Sequence, residues 1–329
     1  MGISMDILLY FAVHWGAMTD LANKQKPRWG KKFKDKRHWP STNESYVVRG
    51  MYFLDLDWVE NWDVELEEMN RDKVGHPYEF PESLIQLQGL WKAKNIPYRM
   101  IEGITRQLFN IAGLPAYNNY TTVCRRINRL DVQIRLPKGT VIELTFEDGT
   151  GFQAINGGEY LREKYGKKNR MWVQVVMLGD PKTKEPVGFE VNLVPSSEPE
   201  SAIRQLENMI EQNIEVKGFG GDGAMDDKRL WNACDEYGIN AVIKPDKDAR
   251  SDGESPQRNW NVKYRNKHGY DKWAKKVGYG MRWPATEGIF SAIKRIFGEQ
   301  LLARSDVGLV QEAGLKVWAY HRLKHGVVG

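Results

Sequence analysis

Apolar positions recur at helical spacing over the first 130 residues and alternate beyond about residue 138. The helical period predicts elements over Ser83–Lys94, Tyr98–Ala112 and Thr121–Leu130, the second stopped at Gly113. Upstream, Leu56, Val59, Trp62 and Leu66 give a further helical stripe inside an acidic block that runs from Asp55 to Asp72. The apolar stretch Ile7–Met18, broken by His14, predicts a packed amphipathic helix, too short to span a bilayer. Past Pro137 the alternation predicts strands at Thr140–Asp148, Met171–Leu178 and Pro186–Val191, an antiparallel meander. A helix from Ser197 to Gln212 follows, with Ser197 and Glu200 spaced as a capping box. Then come a strand Ile214–Gly221, a helix Asp226–Tyr237 closed by Gly238, and a strand Asn240–Lys244. That strand–helix–strand order implies parallel pairing with a right-handed crossover. Asp246–Tyr279 shows little periodicity and reads as a long basic loop, after which helices are expected at Pro284–Phe297 and Leu309–His321.

This pattern divides the chain into an all-α part, 1–138, and a mixed α/β part, 139–329, with 246–279 as an insertion in the latter. With 41% apolar and 28% charged residues over 329 positions, the chain falls in the soluble globular class. The two cysteines, Cys124 and Cys234, exclude a disulfide scaffold and a cysteine-built zinc site, and point to a reducing, cytoplasmic setting. The net charge of +5 is mild, but its distribution is not. Eight Lys or Arg fall between Lys24 and Arg37 against the single acid Asp35, which marks a basic arm over 22–40. Arg125, Arg126 and Arg129 ride the third helix of a compact helical unit, a placement suited to DNA phosphates. The insertion carries nine Lys or Arg with Trp260 and Trp273 among them, the combination of a surface that meets DNA backbone and unpaired bases.

Three acids stand out. Asp148 closes the face shared by Ile142, Leu144 and Phe146, where an acid packs poorly, while Glu147 points the other way. Asp222 follows Gly218, Gly220 and Gly221, so the backbone can approach something bulky where the strand ends; a glycine-rich phosphate loop is the weaker alternative. Glu287 shares a polar helix stripe with Ser291 and Lys294, opposite the apolar stripe of Ile289, Ile293 and Ile296; a solvated helix face explains the same pattern. Three hard carboxylates on separate elements suit Mg²⁺ or Mn²⁺, and two such ions roughly 3.5 to 4 Å apart promote in-line phosphodiester displacement. The six histidines are scattered and offer no zinc spacing.

In this order the motifs resemble those of the DDE transposases of bacterial and archaeal insertion sequences. Asp148-Gly-Thr150, Gly221-Asp222-Gly-Ala224 and Tyr279, Arg282, Glu287, Lys294 are similar to that family's three acidic motifs. Four residues separate Arg282 from Glu287 where three are common in one large branch. The similarity extends to the helical region around Tyr98-Arg99 and Tyr120–Val123. The resemblance implies a ribonuclease H-like sheet of order 3-2-1-4-5 with flanking helices, preceded by a helical domain that reads the element's ends. It also implies catalysis through Asp148, Asp222 and Glu287 on two Mg²⁺ or Mn²⁺ ions, with Arg282 and Lys294 on phosphates and Tyr279 beside them. The expected partners are double-stranded DNA, at element ends and target, and further copies of the chain in a homodimer or higher oligomer; no membrane is involved and the setting is the nucleoid.

Two other readings keep the fold: a ribonuclease H-like nuclease or resolvase that cuts without joining, and a catalytically silent DNA-binding repressor. A recombinase acting through Tyr320, beside His321 and Arg322, is a distant third.

Overall fold

In the computed structural model, residues 37–114, 117–155 and 172–325 are described. The Ile7–Met18 helix and nearly all of the basic arm lie outside these residues. The chain divides into a short unit up to Val47 and a large unit from Val48 onward.

Helices come first: α1 Trp39–Met51, α2 Asp57–Glu60, α3 Trp62–Asn70, α4 Glu82–Ala93, α5 Tyr98–Ala112 and α6 Tyr120–Ile127. The helix expected through the acidic block breaks at Asn61, and Trp58, rather than the expected Leu56, turns inward to stack 5.5 Å from Phe109. Gly113 ends α5 in the left-handed region, φ 68°, the conformation glycine adopts most cheaply. Asn119 caps α6 by accepting from the Thr121 and Thr122 amides.

The strands are β1 Val141–Ile142, β2 Thr145–Ala154, β3 Trp172–Asp180, β4 Glu185–Asn192, β5 Glu215–Val216, β6 Gly218–Gly221, β7 Asn240–Ile243 and β8 Gln300–Leu301. The main sheet runs β4-β3-β2-β6-β7, with β8 beside the end of β2. Numbering its five principal strands along the chain gives 3-2-1-4-5, the order expected of a ribonuclease H-like fold. The β2–β3 and β3–β4 pairs are antiparallel, and β2–β6 and β6–β7 parallel, as the meander and the crossover require.

The second half adds α7 Glu198–Glu211, α8 Lys228–Glu236, α9 Pro256–His268, α10 Tyr270–Val277, α11 Arg282–Ala285, α12 Glu287–Phe297 and α13 Asp306–His325. Three expectations change. The 246–279 stretch is not a loop: it holds α9, capped by Ser255 and opened by Pro256, and α10, with Gly269 at φ 83° between them. The helix expected to start at Pro284 is interrupted at Thr286 (φ −118°, ψ −85°), so that α11 and α12 are separate. Ser197 makes no side-chain cap on α7, and Glu200 pairs with Arg229 at 2.9 Å instead of closing a capping box.

One sheet face packs on α7 and α8 through Leu178, Val187, Ala241 and Ile243. The other presents Phe152, Val173, Val175, Met177 and Phe189 to α12 and α13, in one apolar cluster that continues through α4–α6. The helices before residue 138 and the sheet after it thus share a core. Within it, fully buried Lys316 of α13 donates to the carbonyls of Phe297 (2.9 Å), Gly298 (3.1 Å) and Gln300 (2.8 Å). Burial holds its ammonium down at about 8, partly countered by Glu312, which accepts from the Leu302 and Ala303 amides. These two side chains fix the turn from α12 into β8.

Lys316→Met keeps length and loses the charge, stranding three carbonyls, while Glu312 keeps Lys92 at 3.4 Å and its two amide donors. The expected loss is about 3 kcal/mol of unfolding free energy, measured by urea denaturation.

Candidate active site

Parallel pairing of β2 with β6 sets Phe146 against Gly220, so Asp148 and Asp222, each two residues further on, lie at the same level of the sheet. The glycines before Asp222 serve the chain's own core rather than a ligand: a Cβ on Gly220 would lie 2.3 Å from the Phe146 ring, and one on Gly221 2.4 Å from Met225. Asp222 then turns into a short 3-10 helix, its carboxylate accepting from the Ala224 amide at 2.7 Å. Asp148 was expected at a strand end; β2 continues to Ala154 because antiparallel β3 pairs with it throughout, while β6 has already ended. Glu287 arrives from the other side of β3, where Gly179 lets the α11 backbone press in; a Cβ there would sit 1.9 Å from the Ala285 carbonyl oxygen.

Arg282 joins these distant acids. Its guanidinium donates to Glu287 Oε1 at 2.7 Å and to Asp148 Oδ2 at 3.3 Å. Burial raises the Asp148 carboxyl above its ordinary value, against the pull of Arg282 and the Gly149 amide, and the charges of Asp222 and Glu287 push it further up. Tyr279 is buried against Trp273 and Tyr270, and burial pushes its hydroxyl up to about 12. Lys294 lies 3.8 Å from Glu299, with its ammonium over the Phe152 ring.

A fourth acid, Glu198 at the start of α7, went unnoticed in the sequence. Its Oε1 would be only 2.4 Å from a Cβ on Gly149. Burial raises its carboxyl, and so do Asp148 and Asp222. The signal available was the glycine directly after Asp148, which clears the space that Glu198 fills.

The expected DNA contacts are placed unevenly. Arg125 and Arg129 are exposed on and just beyond α6. Arg126 is engaged internally, with Glu82 (3.1 Å), the Phe80 carbonyl and the Tyr78 ring. Trp273, expected on the DNA-facing surface, is fully buried and donates its indole N–H to Asn261, because α10 turns it inward against Tyr279. Trp260 stays 45% exposed and stacks on Tyr264. Arg258 and Arg265 of the insertion are likewise spoken for, by Asp226 and by the carbonyls of the 245–247 turn. Tyr320 is buried and donates to the Lys184 carbonyl, a poor position for a nucleophile.

Two family models, each described as a transposase DDE domain, match residues 47–157 and 139–321. The chain belongs to the DDE transposase family. No curated protein matches it. Among solved structures, a simian T-cell lymphotropic virus intasome in complex with PP2A regulatory subunit B56 gamma aligns at 11% identity, over 56% of this chain and 67% of that one, with a TM-score of 0.23. A piggyBac transposase synaptic complex with hairpin DNA aligns at 10% identity, over 85% and 75%, with a TM-score of 0.30. Likeness of that degree adds nothing to the argument. The family assignment makes the protein a DNA-cleaving and strand-transferring enzyme that depends on a divalent metal.

The donor chemistry fits such an ion: the acids here offer hard carboxylate oxygens, and a cation already sits between two of them. As placed around Arg282, no three His, Cys, Asp or Glu side chains among the described residues stand close enough to enclose an ion. No helix among the described residues is long and apolar enough to cross a membrane.

Next to Asp148 in β2, Glu147 is buried under α7, its Oε2 accepting from Gln205 at 3.4 Å and its Oε1 without a donor among the described residues. Burial, then Glu198 and Glu190, raise its carboxyl well above the ordinary range. A carboxyl raised on folding contributes stability below its unfolded pKa and loses it as pH climbs to the folded value. Glu147→Gln should therefore melt higher than wild type at neutral pH, the gap closing as pH falls to about 4. Parallel thermal melts across that range check it.

Proposed function

We propose that Asp148, Asp222 and Glu287 hold two Mg²⁺ or Mn²⁺ ions in a catalytic domain spanning 139–329, and that the helical part up to 138 binds the element's ends. The observation that carries this reading is the Arg282 guanidinium shared by Asp148 and Glu287, acids 139 residues apart in the chain and gathered around one positive charge. When bound, the ions activate the attacking oxygen and stabilise the leaving one. Asp148, common to both sides of the site, fixes the separation of the other two acids. Arg282 acts as a resident counter-ion: it gives up its carboxylates when the metal is held, and its guanidinium is then free to grip a DNA phosphate. Lys294, held by a long contact to Glu299 and by the Phe152 ring, supplies a second phosphate contact, and Tyr279 walls the site beside them.

In the first step a water oxygen bonds to phosphorus as the bond to the 3′-oxygen breaks, and that oxygen leaves as the free 3′-hydroxyl. In the second, the 3′-hydroxyl attacks a target phosphodiester, loses its proton to solvent and displaces a new 3′-oxygen, with no covalent protein intermediate. Outside the acids, Arg125 and Arg129 meet phosphates, and the exposed Trp260 with Lys263 and Lys267 offers the insertion's DNA-facing surface. A cleft beside Asp222, lined by Lys244, Lys247 and Tyr270, extends that surface toward the acids. The protein works as a homodimer or higher oligomer on nucleoid DNA.

Asp148→Asn, Asp222→Asn and Glu287→Gln are each expected to lower cleavage of an end-bearing substrate by roughly a thousandfold while leaving end binding intact, measured by gel assays of cut and joined DNA. Full activity in any of them removes that residue from the mechanism, and cuts without joined products turn the reading to a nuclease.

A further inference from the structure

Acids near the sheet's carboxyl edge are mostly matched to cations. Glu190 binds Arg204 and the Ser201 hydroxyl, Glu200 binds Arg229, and Asp226 binds Arg258. Glu198 is different: half-buried at the first turn of α7, it meets no donor or cation among the described residues. It is also held inward. Pro199 follows it in the first turn, and Gly149 leaves room for its carboxylate against β2, within reach of the charges of Asp148 and Asp222.

An unpaired carboxylate turned toward two others is electrostatically costly, since like charges at short range repel and water is partly excluded. Asp148 and Glu287 share one guanidinium, while Asp222 and Glu198 have no ion pair of their own among the described residues. A Cβ at position 149 would have cost little in an extended strand and would have driven Glu198 away, yet the chain has glycine there. The arrangement makes sense if the excess is matched by divalent cations, for which oxygen donors beyond three are an advantage.

We propose that Glu198 is a fourth metal-ligating carboxylate, which completes the donor set on the side of Asp148 and Asp222, with Gly149 as the residue that admits it. This rests on the reading of Asp148, Asp222 and Glu287 as metal ligands. Its place in the fold, at the helix start facing the central strand, lets the N-terminal dipole of α7 partly offset its charge until the metal is held.

The test uses the full chain without DNA, with free Mn²⁺ followed by electron paramagnetic resonance during titration. Glu198→Gln is expected to weaken Mn²⁺ binding about tenfold or more. In EDTA it should melt at or above the wild-type temperature, because it removes a repulsive charge, whereas a merely structural Glu198 would lower that temperature and leave Mn²⁺ affinity alone. Gly149→Ala is an independent route: it retains the acid, displaces its carboxylate and should weaken Mn²⁺ binding in the same direction. Asp148→Asn is the control. Wild-type Mn²⁺ affinity in Glu198→Gln with weakened binding in Asp148→Asn overturns the fourth carboxylate alone; wild-type affinity in both, or no Mn²⁺ uptake by the wild type, overturns the metal reading as well.

Discussion

Repulsion among carboxylates is the constraint around which this site is built. Asp148 and Glu287 come from opposite ends of the catalytic fold, and in water two such groups would stay apart. Arg282 lets them approach by offering one N–H to each, at 3.3 and 2.7 Å. On the proposed reading, two of the acids are thus kept near one another, ahead of any metal, by a side chain that can leave. Asp222 needs no such help, because the parallel register of β2 and β6 delivers it level with Asp148.

That approach depends on backbone close to backbone. Gly179 admits α11 against β3, Gly220 admits Phe146 against β6, and Gly149 admits Glu198 against β2. Each of the three removes a Cβ that would collide with the element packed against it. Farther out, Lys316 and Glu312 pin the end of α12 to β8, so the helix that carries Glu287 is fixed at both ends, by Gly179 at one and by buried charge at the other. Buried ionic contacts of this kind contribute little net stability, but they penalise any other placement of the helix end.

Much of this was legible in the sequence. The helices around Tyr98–Ala112, the meander and the parallel crossover follow from periodicity and stop signals; among the acids, Asp148 stood out as badly placed for packing, Asp222 by the glycines before it and Glu287 by its polar stripe with Lys294. What was not legible has physical reasons. The 246–279 stretch looked like a loop because its helices are polar on most faces, and their stripes are aromatic rather than aliphatic: Trp260 and Tyr264 stack along α9 and Trp273 plugs the core from α10. The inward turn of Trp273 depends on Asn261, twelve residues earlier, as acceptor for its indole N–H, a pairing that no local pattern reveals. Arg126, Arg258 and Arg265 read as DNA-binding charge, but charge counting cannot tell an arginine facing solvent from one that holds its own chain. Glu198 was masked by Glu200, whose spacing from Ser197 mimics a capping box that the structure does not form.

The most direct test of the account is anomalous diffraction from crystals of the full chain grown with saturating Mn²⁺. The account predicts manganese peaks about 2.0 to 2.6 Å from oxygens of Asp148 and of its neighbouring acids, with the Arg282 guanidinium moved off its two carboxylates. Arg282 still bridging Asp148 and Glu287 with no manganese beside them would contradict it.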